Sequence, residues 1–331
     1  MEQEVPLKVA AQHFGVKLDR LRRAAWDGRL DARLLGNQYV VTLPAVERFL
    51  GASGRSEPAP VVAPASRGDS MARIIAVAVP KGGTGKTTTT LNLGAALAEQ
   101  GKRVLLVDFD PQGSLTLALG IRADDLEHTI HSAITYFLAT YEPRLDHTII
   151  PTSAGVDLVP ATIRLNLANA ELTVAPQGEV VLRELLTPLI HQYDAILIDT
   201  LPYLGILVEN ALAAAHEVLI PLQAEYLSTE SVALMLRQIQ FVRKSKLNPQ
   251  LGVSGVLLTQ VDSRTVISRQ FMEYARKEFG AHVPVFETVI KRAVSFPESQ
   301  ARRQSILQYA PNDPGARAYR ALAEEVWHAA E

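Results

Sequence analysis

The eight residues Lys81-Gly82-Gly83-Thr84-Gly85-Lys86-Thr87-Thr88 constrain this chain more than any other stretch. They follow an apolar, β-branched run from Ile74 to Val79 and open a helical pattern from Thr87 to Gln100, so the glycines fall where a strand must turn sharply into a helix. Gly82, Gly83 and Gly85 let the backbone curl closely round an anion, with successive N–H groups and the positive end of the helix aimed at it. In such a phosphate loop Lys86 supplies charge to the β and γ phosphates of a nucleotide, and the Thr87 hydroxyl is placed to ligate Mg²⁺. A merely flexible glycine turn would need neither the lysine nor the flanking strand and helix.

Strands are expected at Ile74 to Val79, Val104 to Val107, Asp157 to Val159, Ala195 to Ile198, Val218 to Pro221, Val253 to Leu258 and Val283 to Phe286. Between them lie helical stretches, clearest at Thr87 to Gln100, Val180 to Gln192, Ser228 to Lys244, Arg269 to Phe279 and Gly315 to Glu331. That alternation predicts a doubly wound, mostly parallel α/β domain with both sheet faces covered. Two of the strands close in acids: Asp108 and Asp110 after Val107, and Asp199 after Ile198. Carboxylates at the carboxyl ends of parallel strands face the ligand crevice, where they can support a hydrated Mg²⁺.

Ahead of this domain the chain changes character. Residues 51–70 are almost wholly Gly, Ala, Ser and Pro with a few charges, a composition that buries too little apolar surface to offset its ordering entropy, and read as a linker spanning about 25 Å on average. Residues 1–50 carry their own apolar pattern: two short helices meeting at Gly15, a hairpin from Ala32–Leu35 to Gln38–Val41 across Gly36-Asn37, and a closing helix from Pro44 to Leu50. Helix, turn, helix and β-wing is the layout of a small winged helix-turn-helix, whose second helix, here Leu18 to Asp27, enters the DNA major groove. Arg20, Arg22 and Arg23 lie on it, where they could read bases or grip phosphates; a small protein-binding module is the alternative. The expected domains are therefore 1–50, a linker at 51–70, and 71–331.

No cysteine occurs in the 331 residues, which removes disulfides, thiolate catalysis and iron–sulfur ligation and suits a reducing cytoplasm. No apolar run approaches the roughly 18 residues of a membrane span, and the start MEQEVPLKVA has neither the basic end nor the apolar core of an export signal. The net charge of −2 conceals an asymmetry: from Arg237 to Arg303 twelve Lys/Arg stand against five Asp/Glu. Such an excess favours a polyanion partner, with Lys244, Lys246, Arg269, Lys291, Arg292, Arg302 and Arg303 as candidate contacts, although a solvated helix face accounts for any one of them.

The stretches KGGTGKTTT, VLLVDFDPQGS, YDAILIDT and GARAYRALAEEV resemble the ParA/MinD family of ATPases with a deviant phosphate loop, and most closely its partitioning branch, over residues 71–331. The first fifty residues resemble excisionase-like helix-turn-helix units. The family resemblance implies Mg·ATP as cofactor and a homodimer that sandwiches two nucleotides. Lys81, the extra lysine before the glycines, would reach the partner's ATP, Asp110 would orient or activate the attacking water, and Asp108 and Asp199 would support the metal. It further implies nonspecific DNA binding by the ATP dimer, release on hydrolysis stimulated by a ParB-like centromere-binding partner, and a nucleoid-associated cytoplasmic location. The first domain adds the alternative of a nucleotide-responsive repressor acting at its own operator. Membrane cycling of the MinD type would need an amphipathic tail, and the acids Glu324, Glu325 and Glu331 suit one poorly. Two departures stand out. Asp199-Thr200-Leu201-Pro202 has one proline where the family has two, and Ile290 to Ser299 is a loose version of the pattern near the base, so no adenine contacts carry over from it.

Overall fold

The computed structural model describes residues 4–18, 21, 24–25, 30–35, 38–53, 71–122, 125–225, 229–262 and 264–328. The chain divides into two compact units, residues 1–59 and 60–331. In the first, β1 (Glu4–Pro6) leads directly into α1 (Leu7–His13), and β2 (Ala32–Leu35), β3 (Gln38–Thr42) and α2 (Leu43–Ser53) follow. β3 is the middle strand of an antiparallel three-stranded sheet, pairing Val41 with Val5 on one side and Leu35 with Gln38 on the other. Leu18, Leu21, Ala24 and Ala25 are helical, and the last three join Leu7, Ala10, Ala11, Val41 and Val46 in a small core. Arg20, Arg22, Arg23 and the Gly36-Asn37 turn lie outside the described residues, as does the linker from residue 54 on.

Strand β1 was not expected, because three residues carry no periodicity of their own and become a strand only through β3. The closing helix continues to Ser53, three residues into the stretch expected to be linker, since each residue added to an existing helix completes one more hydrogen bond.

The second unit has an eight-stranded sheet. In chain order its elements are β4 (Arg73–Val77), α3 (Lys86–Glu99), β5 (Val104–Phe109), α4 (Ser114–Ala118), α5 (Ile130–Thr140), β6 (Ile150–Pro151), β7 (Asp157–Val159), α6 (Leu165–Val174), α7 (Val181–Leu186) and β8 (Ala195–Thr200). Then come α8 (Ile206–Ala214), β9 (Glu217–Gln223), α9 (Thr229–Lys244), β10 (Gly252–Val261), α10 (Val266–Gly280), β11 (Val285–Lys291), α11 (Ser295–Ala301), α12 (Ile306–Tyr309) and α13 (Pro314–His328). The strand order is β11-β10-β9-β4-β8-β5-β7-β6, parallel throughout except for the edge pair β6–β7. Alternate residues feed opposite cores, as the two-residue period of a strand requires. Ile74 and Ala76 of β4 face the helices α5 to α10, whereas Ile75 and Val77 face α3, α4, α12 and α13.

α3 lies unusually close to the sheet. A Cβ on Gly94 would fall 2.7 Å from Leu106 Cδ2, so any larger residue would force that side chain to move. The expected helix from Val180 to Gln192 is instead α7 flanked by 3₁₀ turns at Gly178–Val180 and Thr187–Leu189. Pro188 supplies no amide to continue the α-helical ladder. The last strand also starts later and runs further than its apolar run suggests, reaching Lys291. No helix among the described residues is long and apolar enough to cross a membrane.

Candidate active site

The central strands β4, β8 and β5 are neighbours, and their carboxyl ends bring residues 78–88, 108–110 and 199–202 together. The loop after β4 is held by backbone geometry rather than by side-chain caps. Gly83 and Gly85 take φ of 72° and 87°, left-handed values that a side chain disfavours, and Gly85 starts α3 with no capping side chain. The first-turn amides of that helix are thus left to an outside acceptor.

Two carbonyls of the loop are tied to β10. Thr259 Oγ1 donates to the Thr84 carbonyl at 2.8 Å, and Gln260 Nε2 donates to the Gly83 carbonyl. In a trans peptide the N–H points opposite the C=O, so these bonds turn the amides of Thr84 and Gly85 away from β10. Sequence reasoning missed both residues, because it ended that strand at Leu258. The signal was available in principle: two polar residues at the carboxyl end of a parallel strand stand where ligands bind.

Lys86 is buried, and its ammonium donates to the Lys81 carbonyl at 2.8 Å and to the Val79 carbonyl at 3.4 Å. Burial lowers its pKa, opposed by the charges of Asp199 and Asp110. Thr87 Oγ1 donates to Asp199 Oδ2 at 2.7 Å, which commits the proton and leaves the hydroxyl lone pairs for a cation. Asp199 and Asp108 occupy paired positions on β8 and β5, and both are fully buried. Asp108 accepts from the Thr116 amide at 2.8 Å, the Thr116 hydroxyl at 2.7 Å and the Asp110 amide at 3.3 Å. Burial nevertheless pushes its carboxyl up to about 6. Asp199 is also raised, by burial first and then by the Asp108 charge, with the Thr87 hydroxyl opposing.

Two adjacent buried carboxylates with one nearby lysine are short of positive charge. No cluster of three or more metal-ligating side chains exists among the described residues. A divalent ion here would therefore take Thr87 and the Asp199 and Asp108 environment on one side and draw its remaining oxygens from a ligand and water, as Mg²⁺ does with polyphosphates. The donor set fits that ion.

Asp110 forms its own turn, accepting from the Gln112 amide at 2.9 Å, and stands in the wall of a cavity of about 670 Å³. Residues 82–88, Ser114, Leu117, Pro202, Gln260, Gln300 and Arg303 complete most of that wall. Lys81 is not part of it. A second cavity of about 260 Å³ shares Gly85, Thr88, Gln260 and Gln300 with the first, and adds Ile290, Lys291, Arg292, Phe296, Pro297 and Tyr319. The seven cationic candidates of the second unit are all exposed: Lys244 and Lys246 at the end of α9, Arg269 on α10, Lys291 and Arg292 at the end of β11, and Arg302 and Arg303 after α11.

The sequence pattern of the AAA domain family matches residues 72–253. The chromosome-partitioning ATPase Soj of Thermus thermophilus is 46% identical over 254 residues, covering 77% of this chain and 95% of Soj. The chain belongs to the ParA/MinD family of P-loop ATPases. An uncharacterized protein of Mycobacterium tuberculosis matches a longer stretch, 43% identical over 287 residues, 86% of this chain and 87% of that one. Among solved structures, a Mycobacterium smegmatis protein named cobyrinic acid a,c-diamide synthase, with bound ADP and magnesium, is 39% identical. It covers 77% of this chain and 93% of its own, with a TM-score of 0.65. Membership in the family rests on the second unit, inside which the matched family pattern lies.

Proposed function

We propose that this chain is a DNA-partitioning ATPase whose Mg·ATP-bound form dimerises face to face, holds DNA without sequence preference, and lets go when a centromere-binding partner stimulates hydrolysis. The observation that carries the reading is the division of labour between two lysines. Lys86 is drawn into the loop by the Lys81 carbonyl and serves its own cavity, while Lys81 does not line that cavity. A lysine so placed suits a second copy's nucleotide. Charge supplied across an interface can be worth about 10³ to 10⁵ in rate, which would tie hydrolysis to dimerisation.

Several of the exposed apolar residues suit a dimer through the same edge. Leu117, Ile163, Tyr203, Leu204, Val266, Ile267 and Val294 all follow the carboxyl ends of strands, the edge on which the cavity opens. Within the site, Lys86 and residues 82–88 hold the phosphates, Thr87, Asp108 and Asp199 hold Mg²⁺, and Asp110 orients the attacking water. The second cavity takes the base against Ile290, Phe296 and Pro297. Lys244, Lys246, Arg269, Lys291, Arg292 and Arg302 supply phosphate contacts to DNA, which give affinity without specificity and a steep salt dependence.

The first unit favours an additional reading. A helix carrying Leu21, Ala24 and Ala25 against a core, followed by an antiparallel hairpin, is compatible with a winged helix-turn-helix that binds an operator. Binding to long DNA of unrelated sequence, with ATP, ADP or no nucleotide, separates the two. Partitioning requires at least tenfold tighter binding with ATP than with ADP, lost in Lys81→Ala. Binding that is indifferent to nucleotide and confined to one sequence would replace it with a site-specific regulator.

A further inference from the structure

Five non-glycine residues among those described take positive φ: Tyr141, Gln177, Lys246, Gln260 and Arg303. Such backbone is disfavoured for a side chain and persists where surrounding structure over-determines it, often at functional sites. Two of the five, Gln260 and Arg303, stand in the wall of the phosphate cavity. Gln260 explains itself through its bond to the Gly83 carbonyl. Arg303, at φ 57°, is the left-handed residue that closes α11: its amide donates to the Gln300 carbonyl and the Gln304 amide to the Ser299 carbonyl, so the helix end accounts for its backbone. What stays unspent is its guanidinium, which has no hydrogen bond or ion pair among the described residues.

The stem of Arg303 is nonetheless fixed. Its backbone amide donates to the Gln300 carbonyl at 2.9 Å, and its aliphatic carbons lie so close over Gly120 that a Cβ on that glycine would be 3.4 Å from both Cβ and Cδ of the arginine. Gly120 directly follows α4, whose Ser114, Leu117 and Ala118 line the same cavity. The charge is therefore anchored from two sides at the cavity, with its five donors unspent. Gln300, on the same wall, donates to Thr88 Oγ1 at 3.1 Å and borders both cavities, whereas Arg303 borders only the larger one, together with the phosphate loop and Asp110.

We propose that Arg303 is a nucleotide-binding residue that this chain supplies to its own polyphosphate, not one of its DNA contacts. The inference rests on the nucleotide-binding reading of this cavity and adds a ligand contact to it. Because the arginine stands in the wall that holds the phosphate loop and not in that of the smaller cavity, it grips phosphates rather than the base, among them those that ATP and ADP share. Its loss weakens binding of both nucleotides alike.

The test is the affinity of the full-length protein for Mg·ATP and Mg·ADP by titration calorimetry, in Arg303→Gly, Arg303→Asn and Arg303→Lys. Glycine and asparagine both accept left-handed backbone, so each removes the charge without new strain. A charge-assisted hydrogen bond is worth roughly tenfold or more in affinity. Both neutral variants should lose about tenfold for ATP and ADP, the lysine variant should keep most of the affinity, and DNA binding at saturating ATP should be unchanged. Nucleotide affinity within twofold of wild type in a folded neutral variant overturns the proposal alone, the more so if DNA binding falls instead. A wild-type protein that binds neither nucleotide overturns the ATPase reading as well.

Discussion

The sheet buries charge at both of its ends, and treats it in opposite ways. At the amino edge Arg73, first residue of β4, pairs with Glu217, first residue of β9, and Arg73 Nη2 donates to Glu217 Oε2 at 2.9 Å. The guanidinium also donates to the Val326 carbonyl of α13, so the cation, its counter-ion and a helix end satisfy one another. At the carboxyl edge Asp108 and Asp199 sit side by side with only hydroxyl and amide donors and a single buried lysine, Lys86, nearby, whose pKa burial lowers. The first cluster is closed within the chain. The second is left open, and the missing charge has to arrive with a ligand. Buried charge alone thus does not mark a functional site, whereas buried charge without internal compensation does.

The sharpest way to break this contrast is at the closed end. Glu217→Ala leaves Arg73 buried without its counter-ion, and removing one partner of such a pair costs about 3–5 kcal/mol. Urea unfolding should show that loss equally with and without Mg·ATP, because the pair has no part in the nucleotide cavity. A loss that nucleotide rescues would mean that the two ends are coupled through β4, and the distinction would fall.

At the open end the expected sign is reversed. Folding raises the Asp108 carboxyl from 3.8 to about 6, so the fold prefers the protonated form. The nucleotide-free protein keeps that contribution below about pH 4 and loses it as pH rises through 6, on the order of 3 kcal/mol in all. Asp199, raised as well, pulls the same way. Stability measured from pH 4 to 8 for wild type and Asp108→Asn should diverge, wild type falling relative to the variant as pH climbs. Saturating Mg·ATP should close the gap, since a bound dication favours the ionised carboxylates. A pH-independent difference would show that the carboxylates are already compensated without ligand.

How much of this was readable beforehand depends on the distance over which each feature is encoded. The loop from Lys81 to Thr88 specifies itself, because its glycines, lysine and threonines are contiguous and act through local backbone. Asp108 and Asp199 were readable because an acid closing an apolar run is also a local pattern. The clamp on the loop was not. Thr259 and Gln260 look like the start of a turn, and Thr259 belongs to β10 only by pairing with Gln223 of β9. Arg303 was equally hidden: in sequence it is one more cation in a basic segment, and only the chain's return past Gly120 brings it to the cavity. Helix α8 was missed for a different reason. Buried on nearly every side, it offers no polar face to set a 3.6-residue period.

The clamp also allows the mildest test of the contrast between the two ends. Thr259→Val keeps the shape of a fully packed side chain and removes one hydroxyl, leaving the Thr84 carbonyl without its 2.8 Å donor in a residue that is completely buried. An unsatisfied buried carbonyl costs about 1–2 kcal/mol, and part of that cost should be relieved by letting the loop carbonyl rotate. Rotation would swing the opposite amide out of its phosphate-facing orientation, so Mg·ATP affinity should fall by about three- to tenfold beyond what lost stability alone produces. Glu217→Ala, though far more destabilising, should leave the affinity of its folded fraction unchanged. If Thr259→Val lowers stability and spares nucleotide binding, β10 merely supports the loop; if it lowers both, the strand sets where the phosphate donors point, and the open end of the sheet includes a residue three strands away from the nearest carboxylate.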